Sequence, residues 1–235
     1  MKVVILCGGK GTRLREFTES IPKPLVELGD KPILWHIMKI YANYSHKDFI
    51  LCLGYKAKEI EDYFAKEENK EPDWNITFID TGEDTSKGER IKKVQPHIDE
   101  ENFFVAYGDD VADVDLNKLE ELHQKENKIV TLTAINPESQ FGILQLENNQ
   151  VQEFIEKPLL DHWINGGFFI FNKKIFDHIK PGYDLEKETF HELAKQHEIT
   201  AYKHKGFWKC MNTFKDTQEL NELWNNKKAP WKVWE

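Results

Sequence analysis

Short apolar runs alternate with amphipathic stretches through the first 135 residues of the chain. Residues 2–7 form a continuous run (KVVILC) that ends at two glycines, a pattern typical of a strand buried on both faces of a parallel sheet. Similar runs predict strands at residues 49–53, 75–79, 103–107 and 129–135. Apolar residues at helical spacing predict helices at residues 32–44, 57–65 and 116–127. This alternation predicts a doubly wound α/β sheet.

The pattern changes after residue 135. Short strands are predicted close together at residues 141–146, 151–155 and 168–171, which indicates a mixed or antiparallel extension. Helices are predicted at residues 185–197 and 213–226, and Thr213 with Asp216 resembles the N-terminal cap of the last one. The final seven residues hold two tryptophans, so we expect the tail to pack on the body or on a second subunit. The predicted fold class is therefore α/β, with a doubly wound, mixed but mostly parallel sheet and a small β-rich extension.

Length and charge narrow the possible partners. The 235 residues are typical of one large domain. With 32 Lys and Arg against 41 Asp and Glu, the formal net charge is −9, which argues against nucleic acid or an anionic membrane surface as a partner. No apolar run approaches the ~20 residues of a membrane span, and we find no pattern of a signal peptide. Any anionic ligand must therefore be held by a local group of residues.

The three cysteines suggest a reducing compartment. Cys7 and Cys52 lie inside apolar runs, Cys210 stands alone, and no pair has zinc-binding spacing. Buried free thiols are favoured over a disulfide or a catalytic role. We therefore expect a cytoplasmic protein.

A glycine-rich turn follows the first strand. Gly8, Gly9 and Gly11 would let backbone N–H groups approach an anion closely, and Arg13 offers a planar cationic group suited to phosphate oxygens. The spacing matches neither a Walker loop nor a GxGxxG turn. The structural alternative is a tight turn with a surface arginine.

A lysine between two prolines follows this turn. Proline restricts the backbone on both sides of Lys23, which would hold one ammonium group steady. The alternative is an exposed lysine in a turn.

GGKGTR followed by PKPL resembles the signature of the sugar-1-phosphate nucleotidylyltransferases. The segments YGDDVADVD, EKP, NGGFFIFN, FWKCMNT and KAPWKVWE resemble in particular the glucose-1-phosphate cytidylyltransferase branch of that family. The resemblance implies a Rossmann-like fold, Mg²⁺ as cofactor, and CTP with a sugar 1-phosphate as substrates. It also implies a single domain over residues 1–235, with nucleotide binding in about 1–135 and sugar binding in about 136–235. We expect a homo-oligomer.

Two alternatives remain open: the same transfer to another phosphorylated acceptor, and a nucleotide-binding homologue without catalysis.

The resemblance also implies residue roles. Arg13 would bind the β- and γ-phosphates, Lys23 the α-phosphate, Lys157 the sugar phosphate, and Asp109 the metal, so these four are the expected catalytic residues. The remaining expected nucleotide contacts are Leu6, Gly8, Gly9, Gly11, Thr12, Thr85, Arg90 and Gly108. For Arg90 the alternative is a solvated charge in an E-R-K-K run.

Two positions depart from the family pattern at the expected metal site. Asn212 stands where the family has its second metal-binding carboxylate. We expect Asn212 near the metal, although the amide brings no charge; the alternative is that Asn212 or Thr213 only caps the last helix. Asp110 stands where the branch more often has glycine, and it is not assigned to the metal.

The expected sugar site lies in the second part of the chain. Glu156 and Lys157 end an alternating strand, and the family uses this pair for sugar hydroxyls and the sugar phosphate. Asn165, Gly166 and Gly142 are expected to line the same pocket. The alternative for Glu156 and Lys157 is an ion pair at a strand end.

Overall fold

Seven strands form the central sheet of the computed structural model, which describes residues 1–11, 20–139 and 141–235. From one edge to the other they are β12 (Ile199–His204), β8 (Val130–Ile135), β11 (Ile164–Asn172), β6 (Asn102–Tyr107), β1 (Val3–Leu6), β4 (Asp48–Leu53) and β5 (Asn75–Asp80). Strand β11 runs antiparallel to β6 and β8, and the other neighbouring pairs are parallel. The predicted mixed, mostly parallel sheet is confirmed.

Three two-stranded ribbons accompany this sheet. They are β2 (Glu27–Leu28) with β3 (Lys31–Pro32), β7 (Asp110–Ala112) with β13 (Trp208–Cys210), and β9 (Ile143–Glu147) with β10 (Gln150–Ile155). The β7–β13 pair sets Cys210 directly opposite Asp110. Two segments that are about 100 residues apart in sequence thus meet beside the end of β6.

Seven helices, all in the described residues, connect or flank these strands. They are α1 (Ile33–Asn43), α2 (Ala57–Ala65), α3 (Lys87–Lys93), α4 (Leu116–Glu126), α5 (Ile175–His178), α6 (His191–Lys195) and α7 (Phe214–Asn225). One π-helical stretch, Leu185–Phe190, leads into α6. The hydroxyl of Thr213 accepts from the N–H of Asp216 while the Asp216 carboxylate accepts from Thr213, so the predicted cap of the last helix is confirmed.

Apolar layers cover both faces of the sheet, because alternate residues of each strand point to opposite sides. On one face Ile5, Phe104 and Phe168 pack with α1, α4 and α7. On the other face Val4 and Phe169 pack with residues of α3, α5 and α6. This double burial explains why the strands contain continuous apolar runs.

The β9–β10 ribbon has no comparable cover within the described chain. Leu144 pairs with Phe154 and Leu146 with Val151 across the ribbon, so their side chains share one face. All four are 46–62% exposed.

The C-terminal tail packs on the body around α1. Trp231 is fully buried and stacks on Phe207, and its indole N–H donates to Nδ1 of His36 at 3.4 Å. Because that nitrogen accepts, Nε2 carries the proton and donates to the Leu28 carbonyl at 2.8 Å. Burial of this neutral ring lowers the pKa of His36 to about 4. Of the two predicted locations for the tail, the structure supports the body.

Several sequence predictions need correction. Residues 168–171 do not belong to a separate extension: they lie within β11, in the middle of the main sheet. Helices α3 and α5, strand β12 and the β2–β3 and β7–β13 ribbons were not predicted. Helix α3 has only three buried residues among its charged ones, so it shows no clear apolar periodicity. Strand β12 lies at the sheet edge, where polar residues can remain exposed.

Cys7 and Cys52 are buried free thiols, as predicted, and Cys210 is a half-buried free thiol. Within the described residues, no helix is both long enough and apolar enough to cross a membrane.

Candidate functional site

A cavity of about 530 Å³ opens at the carboxyl ends of β1 and β6. This is where open α/β sheets bind ligands, and the volume is in the range of small-molecule sites. The predicted residues that line it are Leu6, Gly9, Gly11, Lys23, Thr85, Arg90, Gly108, Asp109 and Asn212. The fold therefore brings most of the expected nucleotide-binding set to one place.

Lys23 lies at the base of this cavity between two oxygen atoms from distant parts of the chain. Its Nζ donates to Oδ2 of Asp109 at 2.5 Å and to Oδ1 of Asn212 at 3.0 Å. Lys23 is 8% exposed, so the alternative of an exposed turn lysine is wrong. A buried lysine needs such partners, because desolvation of an unpaired charge is costly.

The oxygens around Lys23 also fit a divalent cation. Asp109 and Asn212 already direct one oxygen each at a single positive charge, and carboxylate and amide oxygens suit Mg²⁺. Oxygen atoms of Asp109 and Asp110 and the sulfur of Cys210 lie within 4.8 Å of one another. Asn212 thus lies beside Asp109, although its role as a metal ligand stays a prediction.

Asp110 is the most deeply buried acid of this group. It is 4% exposed, and among the described residues it forms no salt bridge. Its carboxylate lies within 4.8 Å of the thiol of Cys210, the residue opposite it on β13. Burial raises the pKa of Asp110 well above that of an ordinary carboxyl group, and the Asp109 carboxylate raises it further. Burial likewise raises the pKa of Cys210, so Cys210 is not an activated thiol.

The buried Arg90 side chain holds the glycine turn by hydrogen bonds to backbone carbonyls. Its guanidinium donates to the carbonyls of Gly8, Glu83 and Leu53 at 3.0–3.1 Å and to the hydroxyl of Thr81 at 2.6 Å. A Cβ on Gly8 would lie 2.0 Å from the Arg90 guanidinium, so only glycine fits there. Arg90 is 4% exposed, and burial lowers its pKa. The alternative of a solvated charge is wrong; direct contact with a nucleotide stays a prediction.

The loop opposite the glycine turn closes the cavity rim. Lys10 in the turn pairs with Asp84 at 2.8 Å and with Glu83 at 3.3 Å. These side chains are exposed, so the pairs are weak and an incoming phosphate can replace them. Thr85, one residue on, donates its hydroxyl to the Thr81 carbonyl at 2.6 Å.

A second polar network joins the cavity to the expected sugar side. Tyr107, at the end of β6, donates its hydroxyl to Glu186, which also pairs with Lys87. Asn165 donates to the same Tyr107 hydroxyl at 3.0 Å. Because Tyr107 and Lys87 line the cavity, Asn165 is connected to the cavity lining. Gly166 is buried next to it, and its carbonyl accepts from the Trp208 indole at 2.7 Å.

The other expected sugar residues lie on the exposed ribbon. A Cβ on Gly142 would lie 3.0 Å from a carboxylate oxygen of Glu156 and 2.5 Å from the ring of Phe154, so these residues are close together. Glu156 and Lys157 are exposed, and within the described ranges no hydrogen bond or ion pair joins them to the cavity lining. The structure thus connects Asn165 to the cavity through Tyr107, places Gly166 next to Asn165, and groups Gly142, Glu156 and Lys157 at the ribbon.

Thr12 and Arg13 lie outside the described residues, so their predicted phosphate contacts stay predictions. Sequence reasoning missed Lys10, Lys87, Tyr107, Cys210 and Glu186 at the site. Lys10 and Tyr107 stand inside recognised motifs and could have been found. Glu186 has no local signal, because only the fold brings it to Tyr107.

The fold and the cavity together define a class of protein. A doubly wound sheet that presents a glycine turn, a buried lysine and a carboxylate at its carboxyl edge is suited to phosphorylated ligands. The chain belongs to the nucleotidyl transferase family, whose model matches residues 2–228.

Individual relatives agree with this family. A Bacillus subtilis (strain 168) protein named "Probable glucose-1-phosphate cytidylyltransferase" is 44% identical over 254 aligned positions, covering 100% of both chains. The "Glucose-1-phosphate cytidylyltransferase" of Salmonella typhi is 45% identical over 258 positions, again covering 100% of both. Among solved structures, HddC from Yersinia pseudotuberculosis complexed with GMP-PN has a TM-score of 0.74 and 26% identity, covering 95% of this chain and 99% of that one.

Proposed function

We propose that the chain transfers a cytidylyl group from CTP to α-D-glucose 1-phosphate, giving CDP-glucose and pyrophosphate. The observation that carries this proposal is the 44–45% identity, over the whole chain, to proteins named glucose-1-phosphate cytidylyltransferase. The cavity at the carboxyl edge of the sheet supports it, because its residues suit a phosphorylated ligand.

The reaction joins two polyanions. A phosphate oxygen of the sugar phosphate forms a bond to the α-phosphorus of CTP, and the bond from that phosphorus to the bridging oxygen of pyrophosphate breaks. The oxygen of the leaving pyrophosphate keeps the electron pair. The protein must therefore reduce the repulsion between the reactants and stabilise the charge on the leaving group.

Lys23 is the residue best suited to the α-phosphate. Its ammonium is nearly buried and already held by Asp109 and Asn212, so little reorganisation is needed when charge develops. Backbone N–H groups of the glycine turn would bind the remaining phosphates, and Arg13 would add a cation there. Thr85 and Arg90 would lie on the nucleotide side of the cavity.

Asp109 and Asn212 would hold a Mg²⁺ ion beside the Lys23 ammonium. Such an ion supplies Lewis-acid neutralisation of phosphate charge. In this structure the Asp109 and Asn212 oxygens both accept from the Lys23 ammonium. This convergence on one positive charge supports their assignment to a cation site.

The sugar phosphate would approach from the side of Asn165 and Gly166. Lys157 would contact its phosphate and Glu156 its hydroxyls once the β9–β10 ribbon closes on the substrate. The exposed apolar face of that ribbon supports a homo-oligomer, which sedimentation velocity would test. The three free thiols support a cytoplasmic location.

The test is a pyrophosphate-release assay on a grid of CTP, UTP, dTTP and GTP against several sugar 1-phosphates. We expect release with CTP and glucose 1-phosphate to exceed every other pair. Greater release with a different acceptor would replace the proposed substrate. Nucleotide binding without release for any pair would instead support the non-catalytic alternative.

A further inference from the structure

Asn212 leaves the cation site short of negative charge. Asp109 contributes one carboxylate, whereas the Asn212 oxygen beside it belongs to a neutral amide. A divalent cation held by these two residues alone would be only half neutralised. The electrostatics of the site therefore call for a second carboxylate nearby.

Asp110 is the acid that meets this need by position. Its carboxylate oxygen lies within 4.8 Å of that of Asp109, it is 4% exposed, and it has no salt-bridge partner in the described parts of the chain. A buried carboxylate without a cation is costly. A cation bound between Asp109 and Asp110 would therefore stabilise the buried Asp110 carboxylate and would itself gain a second negative ligand.

The Asp110 carboxylate occupies the space that a side chain at position 167 would fill, and Gly167 has none. A Cβ at position 167 would lie 2.3 Å from Oδ2 of Asp110. The opposite strand adds Cys210, whose thiol lies against the same carboxylate. The thiol is a neutral neighbour, so it can orient the carboxylate but cannot neutralise it.

We propose that Asp110 supplies the second carboxylate of the cation site formed by Asp109 and Asn212. The inference rests on the proposed function, since that function requires a divalent cation. It makes Asp110 a metal-binding residue rather than a purely structural acid, and it explains how an amide is tolerated at position 212.

The test is direct binding of Mn²⁺ to the full chain, measured by the electron paramagnetic resonance signal of free Mn²⁺, with and without CTP. Asp110→Asn keeps the shape of the side chain but removes the charge, and we expect Mn²⁺ affinity to fall by about 10-fold or more. Asn212→Asp in the same background should restore it. The matched control, Asp62→Asn, removes an equal charge from the exposed face of α2, outside the cavity lining, and should leave Mn²⁺ affinity unchanged.

Two results would overturn the proposal: unchanged Mn²⁺ affinity in a folded Asp110→Asn variant, or a loss that Asn212→Asp does not restore. If Asp110→Asn does not fold, anomalous scattering from Mn²⁺-soaked crystals of the unmutated protein decides. An Asp110 oxygen in coordination contact supports the proposal, and a carboxylate that stays on Cys210 refutes it. Because Mn²⁺ binding needs no turnover, failure of the pyrophosphate assay would count against the proposed function alone.

Discussion

The cavity and the β9–β10 ribbon both contain residues expected to bind substrate, yet they are built differently. At the cavity, Asp109 follows the buried strand β6, Lys23 is itself buried, and the two side chains already contact each other. On the ribbon, Glu156 and Lys157 are exposed, and the apolar side chains beside them have no cover in the described chain.

This difference shows what holds a binding residue in place. A strand packed on both faces has its register determined by burial, so the residues at its end have defined positions. An isolated two-stranded ribbon is at best marginally stable. We infer that the nucleotide half of the site is preorganised and that the ribbon half depends on substrate or another subunit.

Matched aromatic truncations should show the largest contrast. Trp231→Ala removes a fully buried ring, so we expect the free energy of unfolding to fall by about 3–5 kcal/mol. Phe154→Ala removes a ring that is 62% exposed and should change it by less than about 0.5 kcal/mol. Denaturant unfolding at low protein concentration measures both. A large loss for Phe154→Ala would mean that the ribbon is packed after all.

The buried cluster around His36 should make stability depend on pH. The pKa of His36 is about 4 in the folded chain against 6.5 for an unperturbed histidine, so the unfolded chain binds more protons between these values. The free energy of unfolding should fall as pH drops from 6.5 towards 4, by about 2 kcal/mol between pH 7 and pH 5. Urea unfolding at both pH values gives the difference.

The control for this pH effect is His36→Gln, which keeps a donor for the Leu28 carbonyl but does not titrate. Its loss between pH 7 and pH 5 should be smaller than that of the unmutated chain by about 2 kcal/mol. Equal losses in the two proteins would show that other groups cause the pH dependence.

On the cavity side, Lys23→Ala should lower kcat/KM by about 10²-fold or more, the scale expected when a preorganised donor to developing charge is lost. Pyrophosphate release gives the rate, and the thermal unfolding midpoint shows whether the variant is folded. A folded Lys23→Ala variant with unchanged kcat/KM would remove Lys23 from the reaction.

On the ribbon side, Lys157→Ala should raise KM for glucose 1-phosphate by about 10-fold or more, since hydrogen bonds to charged groups contribute roughly 1.5–3 kcal/mol. KM for CTP should stay the same. Lys125→Ala, an exposed lysine on α4, is the control. If both lysine variants behave alike, the ribbon does not form the sugar site.

Much of the fold could be predicted from local pattern. The five strands predicted within the first 135 residues are all present in the main sheet, because burial on both faces produces apolar runs that are visible in the sequence. Helix α3 was missed because four of its seven residues are Lys or Glu that lie outside the core, and only Gly88, Arg90 and Ile91 are buried. Strand β11 was predicted, but its place in the main sheet was not, because the identity of its neighbours is not encoded in the strand itself.

For the candidate site, prediction succeeded for residues that stand inside recognised sequence motifs and failed where the surroundings of a residue come from distant segments. Lys23 and Asp109 were expected beside phosphate and metal, and the structure brings them into contact. The burial of Arg90 under the glycine turn was not expected, because a charged run gives no sign that its carbonyl partners surround it.

The sequence alone determined the alternation of the main strands and helices through residue 135, the glycine turn after β1, and the resemblance to a nucleotidylyltransferase, since backbone freedom and apolar patterning are local properties of residue types. Only the tertiary structure decided that Asp110 and Cys210 lie together, that Asn212 shares Lys23 with Asp109, and that the tail covers His36. The reason is physical: these contacts join residues about 90–195 positions apart, and the pairing of distant strands is determined by burial across the whole sheet.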